Sequence, residues 1–282
     1  MNITVRKLLT SNAISRRLYW KARQEYHVYR MKRLAGQYFL NTDDFIRALV
    51  APSGKIAFDL HTADGLTITM RQNYSDAMTI AEIFLDHCYI RHLALPPNPI
   101  IVDIGGFIGD FSLYAVKHLN ARRVIVCEPS PRNFALLLRN VANNGYEGRI
   151  EPINKALTVD GENLSLDVDA PDECQNMISA YCASDKLLTA VPGISLAQLL
   201  DDYSLDDVDL LKMDIEGAEY DILDGASTAV LSRIRNIVFE YHEIERGWER
   251  LENVKQRLSK EGYHLQAGRG LIWASRPTVL PT

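Results

Sequence analysis

From residue 100 onward, short apolar runs alternate with stretches of helical spacing. Ile100-Ile101-Val102, Val124-Ile125-Val126-Cys127, Ile150 to Ile153, Leu210-Leu211-Lys212-Met213 and Asn236-Ile237-Val238-Phe239 have the length and β-branched content of buried strands. Helical patterns separate them. One starts at about Phe111. A second carries Phe134, Leu137, Leu138 and Val141, opened by Ser130-Pro131 as N-cap and N1 and stopped by Asn143-Asn144-Gly145. Others cover Leu196 to Leu200 and the positions Trp248, Leu251, Val254 and Leu258. Regular strand–helix alternation predicts an α/β fold whose parallel sheet is covered by helices on both faces. The segments YHLQAG and GLIWASR read as a closing antiparallel pair.

The first hundred residues follow a different rhythm. Residues 1 to about 45 are expected to be helical, and residues 54 to 73 alternate as a hairpin around Ala63-Asp64-Gly65. A helix through Ala77, Ile80, Ile83 and Phe84 comes next, and the paired prolines of RHLALPPNP end it. The expected organisation is therefore a helical and β-hairpin extension over residues 1–95 and a main domain over residues 96–282. Residues 160 to 192, with Pro171 and Pro192, are less regular and read as a substrate-side flap or strand pair.

Chemistry gathers where the strands end. Asp103 closes the first, and Gly105, Gly106 and Gly109 form a turn with Phe107 inside it; Glu128 closes the second. Ligands of such folds sit outside the carboxyl ends of the strands, where glycines admit close approach to the backbone. An acid at the position of Glu128 is placed to accept hydrogen bonds from both hydroxyls of a ribose. A dinucleotide fingerprint requires G-x-G-x-x-G. This chain has D-x-G-x-x-x-G, which resembles motif I of class I S-adenosylmethionine (SAM) methyltransferases. On that resemblance Asp103, Gly105 and Gly109 shape the methionine side and Glu128 holds the ribose. Asn154 and Ala156, after the third strand, are candidates for the adenine edge, with Asn154 equally readable as a turn residue.

Composition adds limits. An apolar fraction of 47% and a charged fraction of 24% are ordinary for a globular protein. Cys88, Cys127, Cys174 and Cys182 show no C-x-x-C pairing, and Cys127, within an apolar strand, reads as a buried thiol. With no run long enough for a membrane span, a reducing, cytoplasmic setting is the expectation. The net charge of −5 is unevenly spread: residues 1 to 40 hold nine Lys/Arg and one acid, Glu25. The basic stretch with Arg16, Arg17, Tyr19, Trp20, Lys21 and Arg23 suits an anionic membrane surface, or a helical lid on the acidic body or on a dimer partner. An acidic catalytic body argues against nucleic acid.

The segments IVDIGGFIGDFS, VIVCEPSPRNFALLLRNVANN, LLKMDIEGAEYDILDGA and IVFEYHE, with NYSDAMTIAEIFLDHCYI ahead of them, resemble the FkbM family of SAM-dependent methyltransferases. The resemblance covers roughly residues 74 to 245, and KMDIEGAE is its most distinctive piece. It implies a Rossmann-like class I fold with a seven-stranded, mostly parallel sheet. It also implies O-methylation of a hydroxyl on a sugar, glycolipid or polyketide-like molecule. Gly106-Phe107 departs from the Ala-Asn common in the family.

A hydroxyl acceptor needs a near-attack pose and help in losing its proton. Asp214 and Glu216 follow one strand, and Glu240 and His242 the next. His242 is the candidate general base, tuned by Glu240 or Glu243, with Asp214 and Glu240 beside it. The same carboxylates and histidine also suit Mg²⁺ or Mn²⁺, although the metal-free reading is preferred; Asp214 and Glu216 read equally as helix-capping acids. Two other classes remain to be separated: a non-catalytic SAM-binding scaffold and an NAD(P)-dependent oxidoreductase, the latter disfavoured by the glycine spacing.

Overall fold

The computed structural model describes residue 29 and residues 31–53, 56–166, 189–242 and 247–276. The basic positions Arg16 to Arg23, Cys174, Cys182, most of the irregular 160–192 stretch and Glu243 lie outside the described residues.

Seven strands build the central sheet: β3 (Ile100–Ile104), β4 (Arg123–Cys127), β5 (Ile150–Ile153), β10 (Leu210–Met213), β11 (Asn236–Glu240), β12 (His264–Gly268) and β13 (Leu271–Ser275). Their order is β5-β4-β3-β10-β11-β13-β12, with β13 antiparallel to both neighbours and every other pairing parallel. This is the mostly parallel seven-stranded α/β arrangement expected from the sequence. The chain leaves β3 toward β4 on one side, while β10 pairs on the other, so strand order reverses between β3 and β10. Ligands of open α/β sheets bind at such a switch point.

The central strands are buried end to end because both faces are covered by helices. Those helices include α3 (Asp110–His118), α4 (Pro131–Asn143), α5 (Leu196–Asp202), α6 (Glu219–Gly225), α7 (Thr228–Ser232) and α8 (Gly247–Lys260). Ser130 and Pro131 stand at N-cap and N1 of α4 as expected. Ser195 and Gln198 close a reciprocal capping box on α5. Along α8, Leu251, Val254 and Leu258 are buried, but Trp248 is 70% exposed. At 3.6 residues per turn Trp248 lies roughly 90° off that stripe, so the expected fourth core position faces solvent.

The extension joins the same core. α1 (Thr42–Val50), the antiparallel pair β1 (Ala57–His61) and β2 (Thr67–Arg71), and α2 (Tyr74–Phe84) pack Phe45, Leu60, Ile68, Ile80 and Phe84 against Phe111, Tyr114 and Leu137. Polar groups fix the register. The Asn140 amide donates to the carbonyls of Thr69 and Ile108 at 3.0 and 2.8 Å and accepts from Thr69 N–H at 2.6 Å, tying the hairpin to the glycine turn. Arg71 forms a buried two-point pair with Asp76 at 2.9 and 3.0 Å and donates to Asn133 at 2.9 Å. These bonds hold α2 over the carboxyl edge of the sheet.

The 160–192 region contributes β7 (Leu164–Leu166) and β8 (Thr189–Val191), an antiparallel pair, beside β6 (Ala156–Thr158) and β9 (Gly193–Ser195). The strand-pair reading of this stretch therefore holds for its described ends. No described helix is long and apolar enough to cross a membrane.

Candidate active site

The carboxyl ends of β3, β4, β10 and β11, roofed by α2, enclose a cavity of about 380 Å³, within the usual range for small-molecule sites. Gly105, Phe107, Glu128 and Ala156 line it, as do Asp214, Glu216, Glu240 and His242. Among residues named from sequence, the structure thus brings the ribose candidate Glu128, the adenine candidate Ala156 and the catalytic candidates to one hollow.

Glu128 is 5% exposed and organises one end. Its Oε2 accepts the Phe107 N–H at 2.8 Å; its Oε1 accepts the Ser130 N–H at 2.8 Å and a longer 3.4 Å contact from Asn133. Lone-pair capacity remains on Oε2 for an incoming hydroxyl. Burial pushes the carboxyl up to about 7, against the pull of these three donors and of Lys212. Phe107 meets the cavity with its amide committed to Glu128 and its ring 5.2 Å from the Arg71 guanidinium. Its φ of 48° is left-handed, a conformation that Asn, the family's usual residue here, adopts more readily.

Four of the expected cofactor residues stand outside the cavity lining. Asp103 is fully buried and outside the cavity lining: Lys212 Nζ stands 3.1 Å from its Oδ1, and Ser112 donates to its Oδ2 at 2.7 Å. Side chains alternate along a strand, and this one points under the floor. Gly106 faces Val126, whose Cγ2 would lie 2.1 Å from an added Cβ, and Gly109 turns left-handed against Leu137 as the N-cap of α3. Asn154 donates to the carbonyls of Glu128 and Pro129 at 2.8 and 3.1 Å, which is its turn role.

Gly105 is required by close approach of backbone rather than of ligand. At φ 77° an added Cβ would lie 1.9 Å from the Asp214 carbonyl oxygen. Lys212 locks this contact, donating to the Gly105 carbonyl at 2.7 Å and standing 5.2 Å from the Tyr89 ring. Burial alone would lower the Lys212 ammonium, but Asp103, Asp214 and Asp110 outweigh it and hold it well above the ordinary range.

The opposite end is a ring of ionisable groups. One ligand atom each from Asp214, Glu240 and His242 lie within 4.8 Å of one another. Tyr89 donates to Asp214 Oδ2 at 2.9 Å. His242 Nε2 is 3.7 Å from Asp214 and 3.5 Å from Glu216, and Nδ1 is 3.6 Å from Glu219. The Tyr220 hydroxyl fixes the backbone of His242, donating to its carbonyl and accepting its N–H, both at 3.0 Å. Burial lowers the imidazole, but Glu219, Glu216 and Asp214 prevail and raise it. Glu240 is raised by burial and by Asp214, and Glu82, across the cavity, is pushed up to about 7 by burial, Asp214 and Asp86. Behind Glu82, Tyr89 and Glu240 a second hollow of about 80 Å³ reaches Arg91 and Arg269.

Glu82, Tyr89, Asp110, Lys155 and Glu219 escaped the sequence reading. Glu219 is fully buried and accepts the N–H groups of Ile215 and Gly217 at 2.6 and 2.8 Å, shaping the loop that presents Asp214 and Glu216. Asp110 and Glu219 sit inside the distinctive motifs, so a signal existed for them. Glu82 and Tyr89 lie within the entry segment NYSDAMTIAEIFLDHCYI, but only the fold shows that they meet Asp214.

A methyltransferase from Sordaria araneosa, sdnD, is 29% identical over 213 residues, 66% of this chain and 82% of its own. The 31-O-demethyl-FK506 methyltransferase FkbM of Streptomyces tacrolimicus is 28% identical over 191 residues, 58% of this chain and 74% of its own. The crystal structure of a methyltransferase FkbM from Methylobacillus flagellatus KT superposes with a TM-score of 0.46 at 20% identity, over 66% of this chain and 46% of that one. The profile of the Methyltransferase FkbM domain matches residues 103–265, more than half of the chain. The chain belongs to the FkbM family of SAM-dependent methyltransferases.

Proposed function

We propose that the cavity binds SAM with its ribose on Glu128 and its adenine toward Ala156 and Leu157, and that the methyl group passes to a hydroxyl of a sugar, glycolipid or polyketide-like small molecule. The observation that supports this most is one continuous hollow with a nucleoside-type carboxylate at one end and the Asp214–Glu240–His242 group at the other. A relative whose name gives it 31-O-demethyl-FK506 as substrate supports the hydroxyl. SAM supplies an electrophilic methyl, so the chain has to align the acceptor and take up its proton.

Within this reading the Glu240–His242 pair takes up the proton. His242, expected from sequence as the base, stands among three carboxylates that raise it, so that it and Glu240 hold and release protons together. Glu240, whose burial and proximity to Asp214 make it more basic than an ordinary carboxylate, faces the cavity and the second hollow, a route for the proton outward. A second reading rests on the 4.8 Å grouping itself: Asp214, Glu240 and His242 would hold a divalent ion that lowers the acceptor's pKa.

A deuterated-methyl SAM assay over a panel of hydroxylated acceptors, read by mass spectrometry, tests both readings. Transfer that survives chelator and falls at least about 100-fold in Glu240→Gln supports the metal-free path. Transfer lost to chelator and restored by Mg²⁺ or Mn²⁺ replaces it with the metal. Transfer to amines alone contradicts O-methylation.

A further inference from the structure

Two acceptors beside the turn between β3 and α3, the Asp103 carboxylate and the Gly105 carbonyl, are engaged by Lys212. Lys212 Nζ lies 3.1 Å from Asp103 and donates to the Gly105 carbonyl at 2.7 Å. Asp214, across the cavity, accepts from Tyr89 and lies beside His242, so it belongs to the other end. One carboxylate in this wall differs. Asp110, the first residue of α3, is 2% exposed and lines the cavity. Its Oδ1 accepts the Phe111 N–H at 2.9 Å, while its Oδ2 is buried with no hydrogen-bond partner among the described residues. A carboxylate oxygen in that state is unfavourable until a donor reaches it, and a charged donor suits it best.

We propose that Asp110 Oδ2 receives the α-ammonium of the cofactor's amino-acid end. The inference rests on the cavity being the SAM site. It makes Asp110, rather than Asp103, the acid that recognises the methionine portion. The layout supports it: Glu128 ends β4 where the ribose is held, and Asp110 stands on the next element of the same wall, beyond Gly105 and Phe107. The charged groups facing Asp110 are Lys212, Asp103 and Asp76, and of these Lys212 is held by Asp103 and Asp76 by Arg71. Burial pushes the Asp110 carboxyl up to about 7, with Lys212 and the Phe111 N–H only partly opposing it. An incoming ammonium therefore expels a proton near neutral pH.

Calorimetry on the full chain tests this with S-adenosylhomocysteine and with 5′-methylthioadenosine, which keeps the nucleoside thioether but lacks the amino-acid end. In Asp110→Asn the side-chain oxygen that accepts from Phe111 is retained and only the charge is lost. The expected result is a rise of about 10- to 100-fold in Kd for S-adenosylhomocysteine, with methylthioadenosine unchanged within about twofold. Equal weakening of both ligands, or of neither, overturns the proposal. Wild-type protein that binds neither ligand refutes the cavity reading instead. Should the variant fail to fold, wild-type titrations at pH 7 in buffers of different ionisation enthalpy decide. S-adenosylhomocysteine should release more protons than methylthioadenosine, and equal release overturns the proposal.

Discussion

Lys212→Met probes the buried centre beneath the site. The side chains of Lys212 and Asp103 are 4% and 0% exposed and stand 3.1 Å apart, so solvent screening is negligible. Methionine fills much of the same volume but leaves Asp103 with only the Ser112 hydroxyl and frees the Gly105 carbonyl. Removing one member of a buried ion pair costs about 3–5 kcal/mol, because the other charge is left uncompensated. At roughly 2–4 °C per kcal/mol for a chain of this order, the melting temperature should fall by about 6–20 °C. The Lys212 ammonium is raised above its unfolded value, so its contribution is complete below about pH 10 and is lost only as pH rises through the folded value. Urea titration at pH 7 therefore reads it in full. Asp103→Asn in the same background should restore at least about 2 kcal/mol, since the stranded charge is then gone. A Lys212→Met protein within about 1 kcal/mol of wild type, or a double variant no better than the single, would refute the counterion argument.

Asp110, Glu128 and Glu82 are each raised to about 7, so the unfolded chain ionises before the fold does as pH climbs from about 4 to 7. These groups remove stability over that window, and the ligand-free protein should melt higher at pH 5.5 than at pH 8; the reverse order in a thermal scan would contradict the burial assigned to them. Gly105→Ala places a Cβ 1.9 Å from backbone at a left-handed φ and should cost at least about 3 kcal/mol by denaturant titration. Tyr220→Phe removes both bonds that fix the His242 backbone and should lower turnover about tenfold while leaving cofactor affinity intact; unchanged turnover would show that His242 needs no such support.

What the sequence disclosed and what it concealed have physical causes. Strands such as Val124 to Cys127 announce themselves because burial on both faces demands continuous apolar side chains, and the Asp64-Gly65 turn announces its hairpin. Glu128 was legible because its place at a strand end fixes where it points. Asp103 was misplaced for a related reason: spacing shows that an acid ends β3, but not that its partner is a lysine 109 positions away. His242 illustrates a third limit. Its position was evident, yet its protonation depends on Glu216 and Glu219, which converge only through the left-handed turn at Glu216 and Gly217. The roof is the least legible part, since Glu82 and Tyr89 reach the site only once α2 packs across the sheet edge.

The most direct test of the central claim is isothermal calorimetry with SAM, S-adenosylhomocysteine and NAD⁺ on wild type and Glu128→Gln. In the variant, whichever way the amide turns, its NH₂ faces the N–H of Phe107 or Ser130, and the ribose loses a charged acceptor. Both SAM-type ligands should bind, weakened about 100-fold or more by the substitution, and NAD⁺ should not. Binding of NAD⁺ alone, or SAM affinity indifferent to Glu128, would contradict that claim.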